Sequence, residues 1–163
     1  AAIAAVEETG REALGELRRL LGVLRRGDEE LALAPQPSLE RIGALVERMR
    51  AAGLPVELEV AGDPFHLPPG VDAAAFRIVQ EALVNVMRHA AATQALVRVG
   101  YEPAAVELVV SDDGRGAAVI REGSGLVNLR ERVALYGGEL RAGRLRPRGF
   151  ELRARLPVGE PAT

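Results

Sequence analysis

Hydrophobic and polar positions along the chain follow two different periods, and their order predicts helices mixed with strands. Spacings of three and four residues, typical of amphipathic helices, recur in residues 38–52, 68–91 and 126–136. Alternation with period two, typical of strands, recurs in residues 56–60, 94–101, 105–111, 139–142 and 150–156. This order predicts an α/β fold in which helices cover one sheet, a two-layer α/β sandwich, with antiparallel neighbours among the strands.

The first 26 residues carry a separate pattern of apolar positions, a heptad seam extended by Leu14 and Leu21. Because this wider stripe suits a helix bundle, and because the chain begins in mid-pattern without an N-cap signal, we interpret it as the remnant of a longer helix. An ordinary amphipathic helix packed on its own domain remains the alternative. Residues 27–37 read as a linker, residues 38–158 as the main domain and residues 159–163 as a tail. The seam consists of Ile3, Val6, Gly10, Ala13, Leu17, Leu20 and Leu24.

Composition narrows the possible functions. With 163 residues, 48% hydrophobic and 3% aromatic, the chain has enough apolar residues for one core built from Leu, Val, Ile and Ala. A net charge of −2 argues against a dedicated nucleic-acid binder. The lack of Cys excludes disulfides and thiolate metal sites. Apolar runs are too short to span a bilayer, so we expect a soluble, cytoplasmic piece, which leaves open a membrane-anchored parent protein.

The stretch Asp112-Asp113-Gly114-Arg115-Gly116 offers the first candidate chemistry. It follows a predicted strand, and a carboxylate held at a strand end can accept hydrogen bonds from an exocyclic amine. The glycines allow the backbone to approach a flat ligand closely. Taken alone, the pattern is ambiguous, because Asp-Gly turns usually close β-hairpins.

A second group of polar residues lies on one face of the helix predicted for residues 68–91. Glu81 and Asn85 are one turn apart, and the amide oxygen of Asn85 is a suitable ligand for Mg²⁺. Arg88 follows within reach of phosphates, and Glu81 could polarise a water molecule. A solvated polar face is the ordinary alternative, and His89 alone is more often a structural residue than a catalyst.

A third group precedes the helix predicted to begin at Leu126. The glycines of Gly123-Ser124-Gly125 leave backbone N–H groups free at a helix N-terminus, which suits phosphate. A loop that needs only flexible residues is the alternative. The chain has no Lys and therefore no Walker P-loop. Together, the three groups could form one nucleotide site. They supply a carboxylate for the base, an amide for the metal, and backbone amides with Arg for the phosphates.

Three ordered motifs resemble those of bacterial sensor histidine kinases. Residues 76–90 resemble the N box, residues 112–116 the G1 box and residues 123–126 the G2 box. Residues 126–138 are similar to the subfamily that works with response regulators carrying a LuxR/NarL-type output domain. Residues 12–21 resemble the end of that subfamily's second dimerisation helix.

The resemblance implies the Bergerat ATP-binding fold, with ATP and Mg²⁺ as cofactors. Asp112 would contact the adenine amino group, and Gly114 and Gly116 would shape its pocket. Asn85 would bind Mg²⁺, beside Glu81 as the candidate catalytic acid or base. Arg88, His89 and the amides of Gly123 and Gly125 would face the phosphates. Leu126, the last residue of the G2 box, would also belong to the cofactor-binding set.

In an intact member of the family, a homodimer, the γ-phosphate passes to a histidine on the first dimerisation helix and then to an Asp of the regulator. This chain has only His66 and His89, neither on a dimerisation helix, so we expect it to bind ATP–Mg²⁺ without phosphorylating itself. Only residues 117–122 separate the G1 and G2 boxes, which predicts either a very short lid or one of which part is missing from this sequence. Ser124 and Phe150 also depart from the family, where His and Thr are frequent.

Two other functions compete with the sensor kinase. An anti-sigma or switch-protein kinase on the same fold would phosphorylate a Ser of its partner, and a degenerate scaffold would bind no nucleotide. The N-terminal heptad and the Arg-rich stretch after the G2 box favour the sensor kinase. A basic cluster near a turn further along the chain could bind an acidic surface of a regulator, although a solvated loop is the simpler interpretation. It consists of Arg141, Arg144, Arg146 and Arg148.

Overall fold

A computed structural model describes Leu14 and residues 37–89, 91–115 and 124–159. The chain divides into two compact units, residues 1–36 and residues 37–163. In the first unit only Leu14 is described, in a helical conformation. The predictions for residues 1–26 and for the linker up to residue 36 therefore lie outside the described residues, as does the predicted tail beyond Gly159.

The second unit contains three helices and five strands within its described residues. The helices are α1 (Ile42–Ala51), α2 (Pro69–His89) and α3 (Ser124–Leu135). The strands are β1 (Val56–Ala61), β2 (Ala95–Glu102), β3 (Ala105–Asp112), β4 (Glu139–Arg144) and β5 (Phe150–Pro157).

The five strands form one sheet in the order β1-β2-β3-β5-β4. The pairs β2–β3, β3–β5 and β4–β5 are antiparallel, as predicted. The pair β1–β2 is parallel instead. Its connection contains α2, and a crossover of this length returns the chain to the same end of the sheet, whereas a short turn would reverse it.

Burial alternates along β2 and β5 and separates the two faces of the sheet. Val106, Leu108 and Val110 of β3 are almost fully buried, and α2 packs against this strand. Glu107 lies on the other face, which carries ion pairs such as Arg153–Glu107 at 2.9 Å and Arg98–Glu59 at 2.7 Å. Exposed pairs of this kind contribute about 0–1 kcal/mol each, so the helix-covered face holds the fold together.

The predicted N-cap at Ser38 is confirmed, because its hydroxyl accepts a hydrogen bond from the Glu40 N–H at 3.2 Å. Residues Leu39–Arg41 form a 3₁₀ turn before α1 begins, rather than the first turn of the predicted helix. The Leu39 N–H donates to Asp72 Oδ1 at 2.8 Å, which joins this turn to the start of α2.

Two helix boundaries differ from the sequence prediction. Helix α2 ends at His89 rather than near Ala91, and Ala91 adopts a left-handed conformation with φ of 45° that cannot continue a helix. Helix α3 begins at Ser124 rather than at Leu126.

Among the helices that the structure describes, none has the length and apolar character needed to cross a membrane.

Candidate functional site

The structure brings the N-terminal turn of α3 onto the polar face of α2. A Cβ atom built on Gly125 would lie 3.3 Å from Glu81 Oε1 and 3.9 Å from Asn85 Nδ2. Gly125 was expected in a loop before the helix, but it lies within the first turn. The first N–H groups of a helix lack intrahelical acceptors, and here they begin beside a carboxylate and an amide.

Glu81 experiences two opposing effects on its charge. Partial burial raises the pKa of its carboxyl above the ordinary value of 4.5, and the positive charge of Arg132 lowers it. Sequence reasoning did not single out Arg132. The spacing offered a signal, since Arg132 follows Gly125 by seven residues on the same helix, which is about two turns.

Asp112 ends β3 and is the residue on which the predicted adenine contact depends. Its side chain is only 8% exposed, and its Oδ1 accepts a hydrogen bond from the Gly114 N–H at 2.7 Å. Burial raises the pKa of Asp112, the Gly114 N–H lowers it, and the neighbouring charge of Asp113 raises it. Gly114 is itself buried.

Asp113 carries a hydrogen-bond network that the sequence analysis did not identify. Its Oδ1 accepts from the N–H groups of Thr93 at 2.8 Å and Gln94 at 3.0 Å, and its Oδ2 accepts from the Thr93 hydroxyl. These bonds, the Thr93 hydroxyl first, lower the pKa of Asp113 to about 2. The doubled Asp was visible in the sequence, but its partners are 19 and 20 residues away.

The remaining predicted site residues fall into two groups. Asn85 and Leu126 are partly buried and Arg88 is exposed. Gly116, Gly123 and the side chain of His89 lie outside the described residues, so their predicted roles stay predictions. The structure thus unites Glu81, Asn85 and Gly125, and it places Asp112 and Gly114 at the end of the strand against which α2 packs.

A cavity of about 770 Å³ opens where β1 and β2 begin and β3 ends. Of the predicted site residues that the structure describes, only Asp112 lines it, so the cavity is distinct from the contact between Gly125, Glu81 and Asn85. Its other lining residues are Arg50, Gly53, Pro55, Val56, Glu57, Gln94, Ala95, Leu96, Ser111 and Asp113.

The donor set fits a magnesium ion shared with phosphates better than a metal enclosed by protein. Across residues 37–89, 91–115 and 124–159, no three His, Asp or Glu side chains come together as metal ligands. Asn85 and Glu81 nevertheless present an amide and a carboxylate near one glycine. Magnesium is commonly bound through one or two protein ligands, with waters and phosphate oxygens completing its shell.

Comparison with known families identifies the domain. The profile described as "Histidine kinase-, DNA gyrase B-, and HSP90-like ATPase" matches residues 70–160, which is more than half of the chain. The chain belongs to this ATPase family. The match includes α2 from its second residue, the Asp112 turn and the start of α3, so the three groups of site residues lie within the family's shared region.

Relatives with similar sequences are sensor kinases. The chain is 32% identical over 154 residues to the sensor histidine kinase LnrJ of Bacillus subtilis, covering 93% of this chain and 37% of the relative. It is 34% identical over 134 residues to the histidine-protein kinase/phosphatase DegS of Brevibacillus brevis, covering 80% of this chain and 34% of DegS. The chain therefore corresponds to little more than a third of these proteins.

Solved structures confirm the predicted fold. A histidine kinase domain from Erythrobacter litoralis EL346 superposes with a TM-score of 0.58 at 20% identity, covering 80% of this chain and 69% of that domain. Full-length ShkA in complex with AMPPNP superposes with a TM-score of 0.56 at 22% identity, covering 74% of this chain and 29% of ShkA. The architecture is the two-layer α/β sandwich of histidine-kinase ATPases.

Proposed function

We propose that this domain binds ATP and Mg²⁺ and supplies the γ-phosphate for histidine phosphorylation in a two-component sensor kinase. The observation that carries the proposal is the approach of Gly125 to Glu81 and Asn85, two segments 40 residues or more apart in the chain. A catalytic carboxylate, a metal-binding amide and a helix N-terminus suited to phosphate then occupy one place.

Asp112 recognises the adenine base in this proposal. One of its oxygens already accepts from the Gly114 N–H, which orients the carboxylate. A carboxylate has two oxygens with about four lone pairs, so acceptor capacity remains for the exocyclic amine. Burial strengthens such a bond, because few water molecules compete for the same oxygens.

Asn85 and Glu81 act at the phosphate end. The Asn85 amide oxygen would hold Mg²⁺, which neutralises phosphate charge when it is bound. Glu81 would accept or deliver a proton at its carboxylate, with its charge state set by burial and by Arg132. Arg88, at the exposed end of α2, would contribute positive charge to phosphate binding together with His89.

The partners follow from the family resemblance rather than from this domain alone. The acceptor histidine would lie on a dimerisation helix of a homodimeric parent, and the phosphate would then pass to a response regulator. Residues 126–138 support a regulator with a LuxR/NarL-type output domain. The relatives reported above are sensor histidine kinases, which favours this function over the anti-sigma type of serine kinase.

Calorimetry with a non-hydrolysable ATP analogue and Mg²⁺ tests the proposal on the wild type and the Asp112→Asn variant. Asn keeps an oxygen for Gly114 but replaces the other acceptor by a donor. We expect a loss of affinity of about 10- to 100-fold, as for one hydrogen bond to a charged group. Glu59→Gln, on the opposite sheet face, serves as the control. Equal affinities for wild type and Asp112→Asn would refute the adenine contact.

A further inference from the structure

The carboxylate of Asp113 joins the turn after β3 to the start of β2. All three of its donors belong to Thr93 and Gln94, the two residues that precede β2. The Asp113 N–H also donates to the Gln94 carbonyl at 3.3 Å. The two segments are therefore connected through both the side chain and the backbone of one residue, directly after Asp112.

The loop between β4 and β5 holds the same turn from the other side. Arg148 Nε donates to the Asp113 carbonyl at 2.8 Å. Gly149 has φ of 107°, and a Cβ built on it would lie 2.2 Å from the Asp112 carbonyl oxygen, so only glycine fits there. In the sheet register, Asp112 pairs with Ala95 of β2 and with Phe150 of β5. Its backbone is thus flanked by ordered chain on both sides.

We propose that Asp113 is a positioning residue that holds the Asp112 carboxylate where it distinguishes adenine from bases without an exocyclic amine. The inference rests on the proposed function, since it takes Asp112 to be the residue that contacts the base. Asp113 itself touches no nucleotide. Its hydrogen bonds limit how far a movement of the turn can displace the preceding carboxylate.

The geometry explains why this role concerns base selection rather than phosphate binding. The Asp113 hydrogen bonds connect elements at the Asp112 end of the sheet, whereas Glu81 and Asn85 lie on α2 beside Gly125. A displacement of Asp112 by about 1 Å would weaken a directional hydrogen bond to the base strongly. The same displacement would leave the phosphate end of the site unchanged.

The experiment compares binding of ATP and of inosine triphosphate, which lacks the exocyclic amine, to the 163-residue chain with Mg²⁺. For Asp113→Ala we expect the preference for ATP to fall about tenfold, with affinity for inosine triphosphate within about twofold of wild type. Asp113→Asn should retain the preference. Its amide oxygen can accept from both backbone N–H groups, and its NH₂ can donate to the Thr93 hydroxyl.

Two further variants keep the test decisive. Thr93→Val removes only the hydroxyl donor, so it should lower the preference for ATP less than Asp113→Ala does. It replaces Asp113→Ala in the test if Asp113→Ala does not fold. Asp63→Ala, which removes an exposed Asp at the opposite end of the sheet, should change neither affinity.

Three results would count against the inference or its foundation. Equal losses for both nucleotides in Asp113→Ala and Thr93→Val would reveal a general structural role and overturn the inference. An unchanged preference for ATP over inosine triphosphate in both variants would also overturn the inference. A wild type that binds both nucleotides equally, or neither, would instead overturn the proposed role of Asp112, so the two failures are distinguishable.

Discussion

At Glu81, the cost of burying a charge opposes the attraction of a nearby cation. Burial raises the pKa of the carboxyl, and Arg132 reduces that rise without cancelling it. The folded state therefore holds the Glu81 proton more tightly than the unfolded chain does. A residue with this property next to a proposed phosphate site is a candidate for proton transfer.

Replacing Glu81 by Gln is expected to stabilise the fold at neutral pH. A carboxyl whose pKa is raised on folding contributes stability below its unfolded pKa, about 4.5, and loses that contribution as pH rises through the folded pKa. Gln keeps the neutral form at every pH, and each unit of pKa shift corresponds to about 1.4 kcal/mol. Urea denaturation of Glu81→Gln and wild type from pH 4 to pH 8 measures the difference.

The difference should appear above about pH 4.5 and disappear below it. Glu131→Gln, which changes an exposed carboxylate on α3, is the matched control. If Glu81→Gln were less stable than wild type at pH 7, the ionised carboxylate would be a net stabilising group and the assignment would be wrong.

At the scale of the elements, helix α3 shows how a glycine allows two helices to approach each other closely. Gly125 was predicted as part of a flexible turn, yet it lies inside the first turn of α3, where a side chain would press on Glu81. A glycine that breaks a helix and one that makes room at a helix start look the same in sequence. Only the neighbouring element, α2, distinguishes them.

Two Gly→Ala substitutions compare a glycine that has room for a side chain with one that has none. Gly43 lies in α1 with nothing within 4 Å of a built Cβ, so Gly43→Ala should stabilise the fold by about 0.5–1 kcal/mol. Gly149→Ala meets the Asp112 carbonyl and an unfavourable φ, so it should destabilise by about 1–3 kcal/mol. Urea denaturation compares the two, and effects of the same sign would contradict the described backbone.

At the scale of the whole molecule, the position of its histidines leads us to expect that this chain does not phosphorylate itself. Its histidines are His66, in the exposed connection before α2, and His89, at the end of α2. Neither belongs to the N-terminal segment in which the family resemblance places dimerisation helices. The chain also spans only 37% of LnrJ. Both observations support our proposal that this domain supplies nucleotide binding and that the phosphoacceptor lies elsewhere.

Incubation with γ-labelled ATP and Mg²⁺ should therefore leave no acid-labile phosphate on the 163-residue chain. The physical reason is that no histidine is presented on a separate helix toward the phosphate end of the site. Calorimetry on the same preparation provides the control, because it shows whether ATP binds at all. Stable labelling of His66 or His89 would contradict the proposed division between nucleotide binding and phosphoacceptor.

The sequence by itself determined which side chains face the core and which chemistry is available. Periodicity and residue type are local properties, so the helices, the strands and candidates such as Asp112 and Asn85 could be predicted from the chain. Tertiary structure decided the parallel β1–β2 pair, the contact of Gly125 with Glu81, the influence of Arg132 and the network around Asp113. These depend on packing and register between segments far apart in sequence, which no local pattern encodes.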